Sequence, residues 1–158
     1  MSIKIVMVCL GNICRSPLAE GILASKLPSN QFIVDSAGTG NWHVGNSPDK
    51  RSVAIAKKYG IDISNQQAAH FSPNYFEEYD YIFVMDRSNY KNVIELATHS
   101  NHRDKVSFIL DSLFPDKKAE VPDPYYDEMN AFEEVYQMLD KSCSILAKKL
   151  IETHYKQN

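Results

Sequence analysis

Four short runs rich in β-branched and aromatic residues, Lys4–Val8, Phe32–Asp35, Tyr81–Met85 and Val106–Ile109, alternate along this chain with four longer amphipathic stretches. Those stretches, Pro17–Leu27, Asp49–Tyr59, Asn89–Ala97 and Ala131–Thr153, carry apolar residues at helical spacing. Strands that alternate with helices cannot pair as hairpins, so the pattern predicts an α/β fold: a parallel sheet covered by helices on both faces. Ligands of such sheets bind beyond the carboxyl ends of the strands. The order of the strands is not readable from the sequence.

The chain of 158 residues shows no internal repeat, low-complexity tract or linker, which predicts a single domain over residues 1–158. A net charge of −3 argues against a general nucleic-acid binder, whose surface would be basic. The apolar run Ile3–Leu10 is too short for a signal peptide and is broken by Gly11-Asn12, and no run is long enough to span a bilayer. Three cysteines, an odd number without metal-ligand spacing, are expected to be reduced, and the protein is expected to be cytoplasmic.

The chemistry concentrates at the end of the first run, in Val8-Cys9-Leu10-Gly11-Asn12-Ile13-Cys14-Arg15-Ser16-Pro17. This segment reads as strand, tight loop and helix start, with Ser16 as N-cap and Pro17 at the first helical position. Loop amides and the unpaired N–H groups of a first helical turn make a ready site for an oxyanion. Arg15 adds a planar fork for two of its oxygens. Gly11 is expected to supply freedom where the loop curls, and Asn12 to tolerate a left-handed conformation. Cys9 falls at the base of this cradle, where the groups that hold an anion would also stabilise a thiolate, the reactive form of cysteine. The hydroxyl of Ser16 is placed to hydrogen-bond the sulfur.

Filled as CLGNICRSP near the N-terminus and joined to Asp123-Pro124-Tyr125-Tyr126 downstream, the Cys-x5-Arg-Ser pattern resembles the active-site loop of the low-molecular-weight protein tyrosine phosphatases. The resemblance runs from Lys4 to about Leu150 and implies a four-stranded parallel sheet. It implies hydrolysis of phosphotyrosine monoesters through a phosphocysteine, with Cys9 as nucleophile and Arg15 with the amides of Leu10, Gly11, Asn12, Ile13 and Cys14 on the phosphate. Asp123, stiffened by prolines on both sides, becomes the general acid and then the base that activates water. Trp42 and Tyr125 become the aromatic walls of the substrate cleft, Tyr126 its rim, and Ser36 the support of Asn12. No metal or cofactor is implied. The implied partners are phosphotyrosine-containing proteins and a cognate tyrosine kinase, with inorganic phosphate as product and a monomer or weak dimer as the working state.

Departures from the family pattern fall in Gly60–His70, where Asn65, Gln67 and Ala69 stand in place of the histidine or arginines of many relatives. His43 reads as a solvated loop residue, Cys143 as an inert member of a buried helical stripe, and Asp86 as a neighbour of Arg15 at a strand end. Cys14 either packs beneath the loop or traps an oxidised Cys9 as a disulfide. Ile13 stands where related phosphoarginine-cleaving enzymes carry threonine, so phosphotyrosine is expected to be preferred over phosphoarginine and both over phosphoserine. An arsenate reductase on the same scaffold would need further cysteines for disulfide exchange, and none lies between Arg15 and Cys143. A silent phosphotyrosine-binding module would not need to keep both Cys9 and Asp123.

Overall fold

The computed structural model describes residues 2–155. The elements follow in the order β1 (Ile3–Cys9), α1 (Arg15–Lys26), β2 (Phe32–Gly38), α2 (Lys50–Lys58), α3 (Tyr75–Glu78), β3 (Tyr81–Val84), α4 (Arg87–Ile94), α5 (Ser100–Arg103), β4 (Val106–Phe108), a 3-10 turn (Ile109–Ser112) and α6 (Met129–His154). The strands form one parallel sheet in the order β2-β1-β3-β4.

β1 is a central strand, and side chains that alternate along it enter opposite cores. Ile5, Met7 and Cys9 face a cluster built with α1, α2 and α6, among them Leu18, Ile22, Phe132 and Leu139. Val6 and Val8 face the other cluster, built with Phe71, Phe76, Val93 and Phe108. Ile5, Met7, Val6 and Val8 are all fully buried, which is why this strand reads as a continuous apolar run rather than an alternating one. A slip of one residue in register would exchange the two faces and remove Cys9 from its place.

The expected strands and helices are all present, with shifted ends. β2 runs three residues past Asp35, because Gly38 pairs with Cys9 and also bridges to His70. α4 begins at Arg87, where Asp86 and Asn89 form a reciprocal capping box. α1 begins at Arg15 with Cys14 at the cap, so Ser16 is not the N-cap and Pro17 is not the first helical residue. The reason lies in the Ser16 hydroxyl, which is turned toward Cys9 and Asn12 instead of the helix N–H groups. α5 and the 3-10 turn carry too few residues to show a period and were not legible in the sequence.

Candidate active site

β1 delivers Cys9, 3% exposed, to the carboxyl edge of the sheet, and residues 10–14 curl from there into α1. Asn12 takes the left-handed conformation with φ 57°. Gly11 is not among the positive-φ residues, so its contribution differs from the expected one. A Cβ at Gly11 would come within 3.1 Å of His43 Cδ2, and the missing side chain makes room for that ring. Gly38 on β2 is required by proximity, since a Cβ there would lie 2.7 Å from the Leu10 carbonyl oxygen.

Donors outside the loop pull its carbonyls away from the centre. Thr39 N–H donates to Cys9 O at 2.9 Å, Gly40 N–H to Leu10 O at 2.9 Å and Asp49 N–H to Ile13 O at 2.8 Å. The Ser52 hydroxyl donates to Cys14 O at 3.3 Å. With the carbonyls engaged on the outside, the amide edge of the loop is turned toward Cys9, and Asn12 N–H lies 3.3 Å from its sulfur. That is the nest geometry that binds tetrahedral anions.

A second layer fixes the loop. The Asn12 side-chain amide donates to Ser16 Oγ at 2.8 Å and to Ser36 Oγ at 2.9 Å, and its carbonyl oxygen accepts from Ala69 N–H at 2.9 Å. Since Ser16 Oγ already accepts from Asn12, its own proton is left for Cys9 Sγ, 3.0 Å away. Ser36 in turn donates to Glu20 Oε1 at 2.6 Å. A backbone N–H from the 60–70 segment, that of Ala69, therefore completes the network around Asn12. Glu20 was missed by sequence reasoning, although its place one helical turn after Ser16 put it on the same face of α1. Burial pushes the Glu20 carboxyl up to about 7; the Ser36 hydrogen bond opposes this and the charge of Asp35 adds to it.

Arg15 is 3% exposed, donates to Asp86 Oδ2 at 2.7 Å and to Val121 O at 3.0 Å, and lies 3.8 Å from Asp123 Oδ2. Burial alone would lower its hold on the proton, but Cys9, Asp86 and Asp123 outweigh it and the net shift is upward. The Asp123 side chain is 46% exposed and accepts from Tyr125 N–H at 3.1 Å. It is thus at the surface of the cleft while Cys9 is at the floor.

The cleft has a volume of about 240 Å³ and brings together Cys9, Leu10, Gly11, Ile13, Cys14, Arg15, Trp42, Asp123 and Tyr125. Trp42 is 67% exposed, and its indole lies against Gly40, where any Cβ would overlap the ring. Tyr125 meets Tyr126 edge to face at 4.9 Å, and Tyr126 is almost wholly exposed at the rim. His43 also lines the cleft, its Nδ1 3.4 Å from the Asn46 side-chain amide; it is closer to the site than a solvated loop residue would be. Asn12, Ser16 and Ser36 act from behind the loop. Cys14 is buried on the loop, and burial, reinforced by Asp49, Cys9 and Asp123, pushes its thiol up to about 12. Cys143 is sealed in the core, and burial pushes it to about 12 as well.

Elsewhere Glu77, His99 and His102 place donor atoms within 4.8 Å of one another. His102 Nδ1 accepts from Thr98 N–H at 3.4 Å, which puts the ring proton on Nε2, 2.6 Å from Glu77 Oε2. Both ring nitrogens are then used, and the trio is explained as a charge-assisted hydrogen bond.

The sequence model for low molecular weight phosphotyrosine protein phosphatase matches residues 4–156. The low molecular weight phosphotyrosine protein phosphatase of Schizosaccharomyces pombe is 38% identical over 151 residues, 92% of this chain and 96% of that protein. Among solved structures, the Entamoeba histolytica protein tyrosine phosphatase with Hepes in its active site superposes with a TM-score of 0.89 at 34% identity, over 96% of this chain and 99% of that one. Vibrio vulnificus Wzb in complex with benzylphosphonate gives 0.85 at 30% identity, over 94% and 99%. A match along almost the whole length, over a fold in which β1 and α1 bring Cys9 and Arg15 to the two ends of one loop, leads to one conclusion: the chain belongs to the low molecular weight phosphotyrosine protein phosphatase family.

Proposed function

We propose that this protein-tyrosine phosphatase works through Cys9, Arg15 and Asp123 on phosphotyrosine in proteins. The observation that carries the reading is that Cys9 Sγ lies at the floor of a cleft that Asp123 also lines, together with Arg15, whose guanidinium is 3.8 Å from the Asp123 carboxyl. Sγ attacks phosphorus in line, and the S–P bond forms as the bond to the phenolic oxygen breaks. Asp123 gives its proton to that oxygen, while Arg15 and the loop amides hold the three equatorial oxygens. Asp123 then takes a proton from water, whose oxygen attacks phosphorus. The S–P bond breaks, inorganic phosphate leaves, and Ser16 supports the departing thiolate at 3.0 Å.

Depth supports phosphotyrosine over phosphoserine, because a phenyl ring between Trp42 and Tyr125 reaches a buried sulfur that a short serine stem does not. The apolar Ile13 on the same wall leaves a guanidinium without a partner, which supports phosphotyrosine over phosphoarginine. A benzyl phosphonate is the ligand of the Vibrio relative, a phenyl ring on a phosphate-like group. The substrates in this reading are proteins phosphorylated by a cognate tyrosine kinase, and the working state is a monomer or a weak dimer. A cytoplasmic site of action is supported by three free cysteines, which a reducing compartment preserves.

Hydrolysis of a panel of peptides bearing phosphotyrosine, phosphoarginine or phosphoserine tests the reading. The expected order of kcat/KM is phosphotyrosine, then phosphoarginine, then phosphoserine. Faster cleavage of phosphoarginine than phosphotyrosine overturns the substrate assignment, and activity on phosphoserine alone overturns the reaction class.

A further inference from the structure

The segment that carries Asp123 has no regular secondary structure between the 3-10 turn and α6, yet a general acid must be held within a fraction of an ångström of the leaving oxygen. On the N-terminal side of Asp123 the chain is pinned at Val121, whose N–H donates to Met85 O at 2.8 Å and whose carbonyl accepts from Arg15 at 3.0 Å. On the C-terminal side the matching pins come from Arg51, a residue of α2 that the chemistry above does not use. Its Nη2 donates to Tyr125 O at 2.8 Å and its Nη1 to Asp127 O at 2.8 Å.

The same guanidinium is fixed from behind. Asp49 receives Nε at 2.9 Å and Nη2 at 2.8 Å, a side-on pair, and Phe132 of α6 lies under the guanidinium carbon at 4.4 Å. Asp49 is itself bonded to the phosphate loop through its N–H and the Ile13 carbonyl at 2.8 Å. A continuous path thus runs from the loop that holds phosphate, through Asp49 and Arg51, to the carbonyls two and four residues after Asp123.

We infer that Arg51 is a positioning residue that holds the Asp123 segment in register with the phosphate loop; the inference rests on the reading of Asp123 as general acid. Only a planar fork reaches the carboxylate and two carbonyls at once, so lysine in its place keeps a charge but loses the arrangement. Arg51 touches no reacting atom, and its effect is transmitted by the position of the Asp123 carboxyl.

The test compares kcat/KM, which reports the first chemical step, for phenyl phosphate, a poor leaving group, and p-nitrophenyl phosphate, a good one. Arg51→Ala and Arg51→Lys are each expected to lower kcat/KM for phenyl phosphate by about tenfold or more, and for p-nitrophenyl phosphate by less than about threefold. Inhibition by inorganic phosphate is expected to stay within about twofold of wild type, because the phosphate loop keeps its own contacts. In an Asp123→Ala background the leaving-group-selective loss is expected to disappear. Equal losses on both substrates, a parallel weakening of phosphate inhibition, or a selective loss that survives in the Asp123→Ala background each overturns the inference. Should Arg51→Ala fail to fold, Arg51→Lys decides it by the same readings. If Asp123→Ala alone shows no dependence on the leaving group, the general-acid reading fails and the inference falls with it; if Asp123→Ala shows that dependence and the Arg51 variants do not, only the inference fails.

Discussion

The Ser16 hydroxyl oxygen lies 3.0 Å from Cys9 Sγ, and Asn12, by donating to that oxygen at 2.8 Å, commits the Ser16 proton to the sulfur. A hydrogen bond to a thiolate favours it both as nucleophile and as leaving group. Ser16→Ala should therefore lower kcat by about tenfold or more with little change in KM, since a hydrogen bond to a charged group contributes about 1.5–3 kcal/mol. Steady-state kinetics with p-nitrophenyl phosphate checks this, and an unchanged kcat removes Ser16 from the reaction.

Asp86 caps α4 and also holds Arg15 at 2.7 Å. Asparagine is an equally good N-cap, so Asp86→Asn removes the charge pair while it keeps the helix start. The buried guanidinium then loses its closest carboxylate, and inhibition by inorganic phosphate should weaken about tenfold with little change in melting temperature. A large drop in melting temperature with phosphate inhibition unchanged would show that Asp86 serves the fold alone.

Glu20 gives the chain a pH dependence of unusual sign for a carboxylate. Its ordinary value of 4.5 rises to about 7 in the folded protein, chiefly through burial. Between those values the folded chain binds the extra proton, so the stability linked to this group is fully present below about 4.5 and declines as pH rises through about 7. Glu20→Gln keeps an acceptor for Ser36 without the charge. The melting temperature of wild type should fall relative to this variant between about pH 5 and about pH 8; parallel melting curves across that range would show that Glu20 does not titrate there.

The wall residues predict a change of preference. Ile13→Thr adds a hydroxyl on the cleft wall and should raise phosphoarginine turnover relative to phosphotyrosine. Trp42→Ala removes a surface for ring stacking and should raise KM for aryl phosphates about threefold to tenfold with kcat nearly unchanged. Competition kinetics with paired peptides reads the first effect and steady-state kinetics with p-nitrophenyl phosphate the second, and a fall in kcat alone for Trp42→Ala contradicts the stacking role.

Much of this site was legible because its chemistry is local in sequence. Cys9, Asn12, Arg15 and Ser16 lie within one strand–loop–helix unit, and the continuous apolar run Ile3–Val8 and the helical period of the long C-terminal stretch located β1 and α6. What stayed hidden depends on contacts between segments far apart in the chain. Glu20 becomes a support only because β2 carries Ser36 alongside α1, and Arg51 reaches Tyr125 and Asp127 across more than seventy residues of sequence. The supposed N-cap failed for a related reason: Ser16 is a good capping residue by type, but tertiary demand from Cys9 and Asn12 took its hydroxyl. Asn12 was read as tolerating the left-handed conformation and does bear the positive φ, whereas Gly11, read as freeing the curl, does not carry one.

The central claim is that phosphate passes through the sulfur of Cys9, and the most direct measurement is mass spectrometry of enzyme quenched in acid during turnover of p-nitrophenyl phosphate. If Asp123 activates the water, Asp123→Asn should slow hydrolysis of the intermediate and raise its level. The account predicts one phosphoryl group on the peptide that contains Cys9, absent when Cys9→Ser is combined with Asp123→Asn. A phosphoryl group on any other residue, or continued turnover by the Cys9→Ser variant above about a hundredth of the wild-type rate, would contradict it.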